Sequence, residues 1–183
     1  VRIGASDVVV VQIHYNLHHS DDHSGESDST RVRLKLADAV EREGYFLLID
    51  AFIDTLFTGA PDVLEPGQER ARYEWTVDIG SWLLPDFGVE QLEVHGIFPH
   101  MHERGRQWRA ELVDDAGEQC VGDVQRWDFG WQLYYFFETP PILTPSARLR
   151  VTCDYDTRGA TEPVTPGWGT QNEMCLAGLF VVP

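Results

Sequence analysis

Short segments that alternate apolar and polar residues, separated by Gly and Pro, constrain the fold of this chain more than any other feature. Residues 31–36 and 72–77 alternate cleanly. Successive side chains on a β-strand point to opposite faces, so each of these segments predicts a strand with one buried face. Gly and Pro stand between such segments, where an antiparallel chain reverses direction. The predicted strands cover residues 8–15, 31–36, 45–53, 72–77, 91–102, 107–113, 131–137, 147–155 and 174–182.

About nine strands in a chain of 183 residues predict an all-β protein, an antiparallel jelly-roll-like β-sandwich. Helical periodicity is scarce. Residues 38–43 and the stretch around residues 81–84 each have room for a short helical turn. We expect Pro85 to end the second turn, because proline lacks the backbone N–H that a helix requires.

Composition divides the chain into three parts. Residues 18–30 are polar and without periodicity, which predicts a linker or long loop. Residues 1–17 contain one predicted strand, too little to fold as a domain, and we expect the last strand of a missing upstream domain or an N-terminal extension. Residues 31–183 are long enough for one domain with a substantial core. Because Val1 is not an initiator residue, we expect the chain to be processed, trimmed or excerpted.

The charge of the chain argues against two classes of partner. With 30 acidic residues against 14 basic ones, the net charge is −16, which repels nucleic acid and anionic membrane surfaces. A membrane-spanning helix needs a run of roughly 18 apolar residues, and the sequence contains none. We therefore expect neither nucleic acid nor a membrane span.

His100-Met101-His102 and the distant Met174 are the candidate metal ligands. On a strand, the two imidazoles project from one face while Met101 points away. Two imidazoles and a neutral, polarizable thioether favour Cu(I), and three ligands leave a position open for a small molecule such as dioxygen. Alternatives stay open, since His-x-His pairs often decorate a surface and Met often fills a core gap. Spacing alone does not establish that Met174 joins the two histidines.

The three cysteines, Cys120, Cys153 and Cys175, contain no Cys-x-x-Cys pattern typical of zinc or dithiol redox sites. One disulfide plus one free thiol is possible, and the residues by themselves leave the pairing open. A disulfide implies an oxidising compartment, hence a secreted or periplasmic protein.

Three blocks of sequence carry a resemblance to a known family. They are His100-Met101-His102, then Cys153-Asp154-Tyr155-Asp156-Thr157, then Gly167-Trp168-Gly169-Thr170-Gln171-Asn172-Glu173-Met174-Cys175. In that order they resemble the C-terminal domain of the copper type II, ascorbate-dependent monooxygenases. That family includes peptidylglycine α-hydroxylating monooxygenase and dopamine β-monooxygenase, and the resemblance covers residues 6–183.

The resemblance implies a site and a reaction. By this likeness His100, His102 and Met174 hold a copper ion that binds O2 and hydroxylates a substrate C–H bond, with ascorbate as electron donor. It also implies a disulfide between Cys153 and Cys175.

The resemblance further assigns His14 to a second, electron-donating copper. The other two ligands of that copper, a His-His pair, belong to an N-terminal copper domain that is missing from this chain, and residues 1–17 would be its last strand. His18 and His19 follow His14 in a polar segment, so we expect loop histidines there rather than the missing pair. One catalytic-type copper site is therefore expected, with little turnover by this chain alone.

Substrate recognition departs from the peptide-amidating members that the chain resembles. Those enzymes carry an Arg two residues before the first His and polar residues just after Met-Cys, whereas this chain has Phe98, Leu176 and Gly178 there. The partner is expected to be a small molecule or a peptide, with a less polar substrate favoured over a glycine-extended peptide. A second function class stays open, a non-catalytic copper-binding or ligand-binding β-sandwich module.

Overall fold

The computed structural model describes residues 2–11, 13, 27–49 and 63–183. Contacts divide the chain into two compact units, Val1–Glu43 and Gly44–Pro183. Within the described residues, the helix and the strands all lie in the second unit. That unit also contains the three candidate metal ligands.

Two strands predicted for the first unit are absent from its described residues. Residues 31–36 form no strand, and their apolar side chains are exposed, Val32 by 54%, Leu34 by 55% and Leu36 by 72%. The prediction is wrong there because alternation stabilises a strand only where a partner strand and a core cover its apolar face. Residues 8–11 and 13 also form no strand, and the rest of the predicted 8–15 strand lies outside the described residues.

The second unit contains nine strands and one helix among its described residues. These elements are β1 (Tyr45–Ile49), β2 (Ala71–Val77), α1 (Ile79–Phe87), β3 (Leu92–His100), β4 (Gly105–Asp114), β5 (Gly117–Val124), β6 (Tyr135–Phe136), β7 (Ile142–Leu143), β8 (Arg148–Tyr155) and β9 (Leu176–Val182). A five-stranded sheet has the order β1-β9-β3-β6, with β7 also paired to β3, and a four-stranded sheet has the order β2-β8-β4-β5. Every pairing between these strands is antiparallel, which confirms the predicted all-β sandwich.

Strands β5 and β7 were not predicted, and β6 is shorter than predicted. β5 is polar and largely exposed, so it carries no hydrophobic alternation. It forms because Gly117, with a φ of 135°, turns the chain back after β4 and lets the next residues pair with that strand. β6 is confined to two residues that pair with Gly96 and Ile97 of β3.

Helix α1 continues past the proline that was expected to end it. Pro85 lies inside α1, which ends at Gly88 in the left-handed conformation with a φ of 66°. Ile79, Leu83 and Leu84 of α1 are buried in the core, and this burial outweighs the one backbone hydrogen bond that proline removes. Residues 38–43 form no helix. In the described part of the chain, no helix has the length and apolar character to cross a membrane.

Three buried aromatic side chains of the four-stranded sheet hold the chain at the start of β9. Each donates a hydrogen bond to a backbone carbonyl of the segment that carries Met174. The bonds run from Trp75 Nε1 to Cys175 (2.9 Å), from Trp108 Nε1 to Leu176 (3.1 Å) and from the Tyr155 hydroxyl to Met174 (2.8 Å). The segment is thus anchored from the interior of the sandwich.

A disulfide joins the same segment to β8. Cys153 and Cys175 are bonded, with their Cα atoms 5.9 Å apart. This is the pairing that the family resemblance implies. Cys120, on the exposed edge strand β5, carries a free thiol.

Candidate metal centre

His100 and His102 lie side by side at the end of β3. His100 is the last residue of the strand, and His102 lies two residues further on, before β4. Their ring centroids are 5.2 Å apart and the ring planes meet at 89°. Met101, between them, is fully buried in the main core. Met101 thus packs in the core while the two imidazoles lie next to each other.

Met174 belongs to the chain segment that lies against His102. The β3–β9 ladder ends at the pair of His100 and Leu176, and beyond it His102 bonds to Asn172 and Glu173, the two residues before Met174. Met174 is 2% exposed and packs with Leu176 and Phe98 in a small cluster apart from the main core. The structure thus brings the thioether-bearing segment to the imidazole pair.

Hydrogen bonds determine which nitrogen of His102 is available to a metal. His102 Nδ1 lies 3.0 Å from the carbonyl oxygen of Asn172. Because a carbonyl only accepts, Nδ1 must carry the proton, and Nε2 keeps its lone pair. The backbone carbonyl of His102 accepts from the indole N–H of Trp127 at 3.0 Å, which fixes the chain at this point.

His100 is held in the same tautomer by a glutamine. Gln132 donates its amide N–H to the carbonyl of Phe129 at 2.7 Å, which turns Oε1 toward His100. His100 Nδ1 is within hydrogen-bond distance of that oxygen and is therefore the donor. Nε2 of His100 is left with a lone pair, as in His102. Such supporting partners orient metal-binding histidines in proteins generally.

Burial keeps both imidazoles neutral at ordinary pH. It lowers the pKa of His100 to about 4, outweighing the opposing effect of the Gln132 hydrogen bond. Burial also lowers the pKa of His102 below its usual value. Neutral imidazole is the form that coordinates a metal, so the site needs no proton release from these rings.

A buried carboxylate joins the His102 turn to the residue before Met174. Glu173 is 0% exposed, and its two oxygens accept the backbone N–H groups of His102 at 2.8 Å and of Arg104 at 2.7 Å. Burial raises the pKa of Glu173 to about 7, although these hydrogen bonds favour the ionised form.

Two neutral imidazoles beside a thioether fit a soft metal of low coordination number, as Cu(I) is. Among the described residues, no three His, Cys, Asp or Glu side chains form a group that could hold a metal ion. The donor set therefore matches copper in kind. Metal binding by His100, His102 and Met174 stays a prediction.

The supporting residues were not recognised from the sequence. Asn172 and Glu173 lie in the block that ends at Cys175 without a role assigned to them there, and Gln132 is a polar residue in an aromatic stretch. An acidic residue directly before a buried apolar strand was the available signal for Glu173. The partners of Gln132 and Asn172 lie on distant segments, which no local pattern reveals.

The remaining predicted copper ligand belongs to a second proposed copper site. His14, together with His18 and His19, lies outside the residues that the structure describes. The assignment of His14 to a second copper therefore stays a prediction.

Aromatic and apolar groups surround the three positions that differ from the peptide-amidating pattern. The Phe98 ring stacks on His100 at a centroid distance of 5.8 Å and on Tyr134 at 5.0 Å. Gly178 lies beneath them, since a Cβ there would be 2.9 Å from both Phe98 Cβ and the Tyr134 hydroxyl. Leu176 is buried beside Met174. The surface next to His100 is therefore aromatic rather than charged.

Comparison with known proteins shows similarity to a protein family and to a curated relative. The family described as copper type II ascorbate-dependent monooxygenase, C-terminal domain, matches residues 55–181. Tyramine beta-hydroxylase from Caenorhabditis briggsae is 26% identical over 189 residues, covering 98% of this chain and 30% of that protein. The chain thus spans about 30% of the length of the curated relative that it matches.

Proposed function

The chain belongs to the copper type II, ascorbate-dependent monooxygenases through their C-terminal domain, and we propose that His100, His102 and Met174 hold the copper at which a substrate C–H bond is hydroxylated. The observation that supports this proposal is the imidazole pair whose Nδ1 atoms both donate to oxygens, which leaves the lone pair of each ring on Nε2, in two side chains next to the segment that contains Met174. Copper bound there supplies dioxygen binding and one-electron redox chemistry.

Each residue has a separate task in this proposal. The two imidazoles supply the nitrogen ligands, and the Met174 thioether favours the Cu(I) state in which dioxygen is taken up. Gln132 and the Asn172 carbonyl keep the lone pairs of Nε2 available. His102 is buried and His100 is partly buried, which limits access of water to the rings.

The overall reaction needs dioxygen and a reductant in addition to this chain. One oxygen atom enters the C–H bond and the other leaves as water, with two electrons from an ascorbate-type donor and two protons from solvent. We propose that an N-terminal copper domain passes the electrons on, with His14 among its ligands. The aromatic surface beside His100 supports a small substrate of low polarity, and the name of the matched relative, tyramine beta-hydroxylase, is compatible with a small aromatic one.

The Cys153–Cys175 disulfide supports a secreted or periplasmic location, because disulfides persist in oxidising compartments. The second candidate function is a copper-binding sandwich without catalysis. A single proposed copper site in this chain is enough for that alternative.

Copper titration with matched methionine variants tests the proposal. The chain contains two methionines, so Met174→Leu removes the proposed ligand and Met101→Leu removes the buried core methionine that faces away. We expect wild type and Met101→Leu to bind one Cu(I) per chain with similar affinity in competition with a chromogenic chelator. Met174→Leu should bind Cu(I) more weakly while its Cu(II) affinity changes less. Equal Cu(I) affinities for all three proteins would contradict the proposed site.

Turnover separates the two candidate functions. We expect ascorbate-dependent oxygen uptake coupled to substrate hydroxylation from a longer protein that includes an electron-donating copper domain, and little from these 183 residues alone. Copper binding without hydroxylation by such a longer protein would favour the non-catalytic module.

A further inference from the structure

The carboxylate of Glu173 occupies an unusual place for an acidic side chain. It is 0% exposed, yet its nearest donors are two backbone N–H groups rather than the side chain of an Arg or Lys. Taking a carboxylate out of water costs free energy unless its oxygens find donors. Those two donors are the N–H groups of His102 and Arg104, in the turn that follows β3, and the backbone N–H of Met174 also bonds to the carboxylate.

The backbone ladder between β3 and β9 stops just where the candidate ligands begin. Its last pair is His100 with Leu176. Beyond it, the N–H of His102 bonds to Glu173 Oε2, and the carbonyl of Met174 accepts from the Tyr155 hydroxyl. The Glu173 side chain thus takes the place of the next backbone hydrogen bonds across this pair of strands.

Glu173 is also covalently next to Met174. Its carboxylate accepts the backbone N–H of His102, so Glu173 connects His102 directly to the residue before Met174. The Glu173 side chain therefore joins the two segments without contributing either proposed ligand atom.

We propose that Glu173 is a positioning residue that clamps the His102 turn to the Met174 segment and thereby sets the spacing of the imidazole and thioether ligands. The role of Glu173 toward copper rests on the proposed function. The clamp itself rests only on the hydrogen bonds of Glu173. Glu173 does not coordinate the metal in this proposal.

The test compares two variants that each neutralise a buried carboxylate. Glu173→Gln keeps the side-chain shape but turns one acceptor into an N–H2 group that faces a backbone N–H. Asp154→Asn is the control, because Asp154 is 3% exposed and bonds to Arg70 and Arg72. We expect Glu173→Gln to lower Cu(I) affinity by about 10–100-fold, as loss of a supporting partner does at metal sites. Its sulfur contribution in Cu X-ray absorption should shrink, whereas Asp154→Asn should change stability alone.

A double-mutant cycle with Met174→Leu isolates positioning from general destabilisation. If Glu173 acts by placing the thioether, Glu173→Gln costs much less Cu(I) affinity in the Met174→Leu background than in wild type. Additive effects, or equal copper spectra for Glu173→Gln and wild type, would overturn the clamp.

Amide hydrogen exchange in the metal-free wild-type chain covers the case in which Glu173→Gln does not fold. The clamp predicts slow exchange at the N–H groups of His102 and Arg104, since both are bonded to a buried acceptor. Fast exchange at both would refute it. Failure of wild type to bind copper would instead remove the proposed function, and the exchange rates would then decide whether the clamp exists.

Discussion

Removing the Cys153–Cys175 cross-link tests how the Met174 segment is held in place. The two cysteines are separated by 22 residues in sequence. Closing a loop of that size removes conformational entropy from the unfolded chain worth about 3.4 kcal/mol at 25 °C. Both cysteines are 0% exposed, so a Cys153→Ala, Cys175→Ala double variant leaves two small apolar side chains in the core. We expect the free energy of unfolding to fall by about 3.4 kcal/mol, and the melting temperature by about 7–14 °C.

The copper site should respond much less than the stability does. The carbonyls of Met174, Cys175 and Leu176 keep their hydrogen bonds from the three aromatic side chains when the cross-link is absent. Because those bonds act on the folded state and the disulfide acts mainly on the unfolded one, the Cu(I) affinity of the folded double variant should change by well under tenfold, a difference below about 1.4 kcal/mol.

Urea unfolding followed by tryptophan fluorescence measures the stability, and chelator competition measures the affinity. Cys120→Ala is the matched control, since Cys120 is free and exposed. It should leave both quantities unchanged. The reasoning is refuted if the double variant loses less than about 1 kcal/mol, well short of the loop-entropy value, or if it stays folded but loses copper affinity by more than tenfold.

Two further predictions concern residues around the site and in the second sheet. Gln132→Leu removes the acceptor for His100 Nδ1 and should weaken Cu(I) binding by about 10–100-fold in chelator competition. It should change the free energy of unfolding by about 1 kcal/mol. Gln125 is exposed, and Gln125→Leu should change neither the Cu(I) affinity nor the stability. Burial favours a higher pKa for Asp154, but hydrogen bonds and charges from Arg72 and Arg70 outweigh it and hold that pKa below its ordinary value of 3.8. The Asp154 carboxylate therefore stabilises the fold above about pH 4, and this contribution is lost as the pH falls from there through the lowered pKa. Urea midpoints at pH 6 and below pH 4 should thus differ more in wild type than in Asp154→Asn, and an equal difference in both proteins would contradict the assignment.

Strand prediction succeeded where alternation coincided with a partner strand. Residues 72–77 alternate in sequence and lie within β2, whose Trp75 is buried in the core. Residues 31–36 alternate equally well and form no strand. The local pattern is the same in both segments, and the difference lies in whether another part of the chain covers the apolar face. Pro85 fails as a stop signal for a similar reason, because tertiary burial of α1 outweighs a local cost.

The sequence by itself determined the chemistry available to this protein. Alternation through residues 100–102 predicts that Met101 turns away from the two imidazoles, and Met101 is indeed buried in the core although β3 itself ends at His100. Tertiary structure alone decided that the segment of Met174 lies against His102, that Nδ1 of both rings bonds to an oxygen, and that Glu173 links the two segments. These arrangements depend on the register between strands far apart in the chain and on carbonyl and carboxylate oxygens brought in by loops. No periodic pattern in the sequence indicates either the register or those contacts.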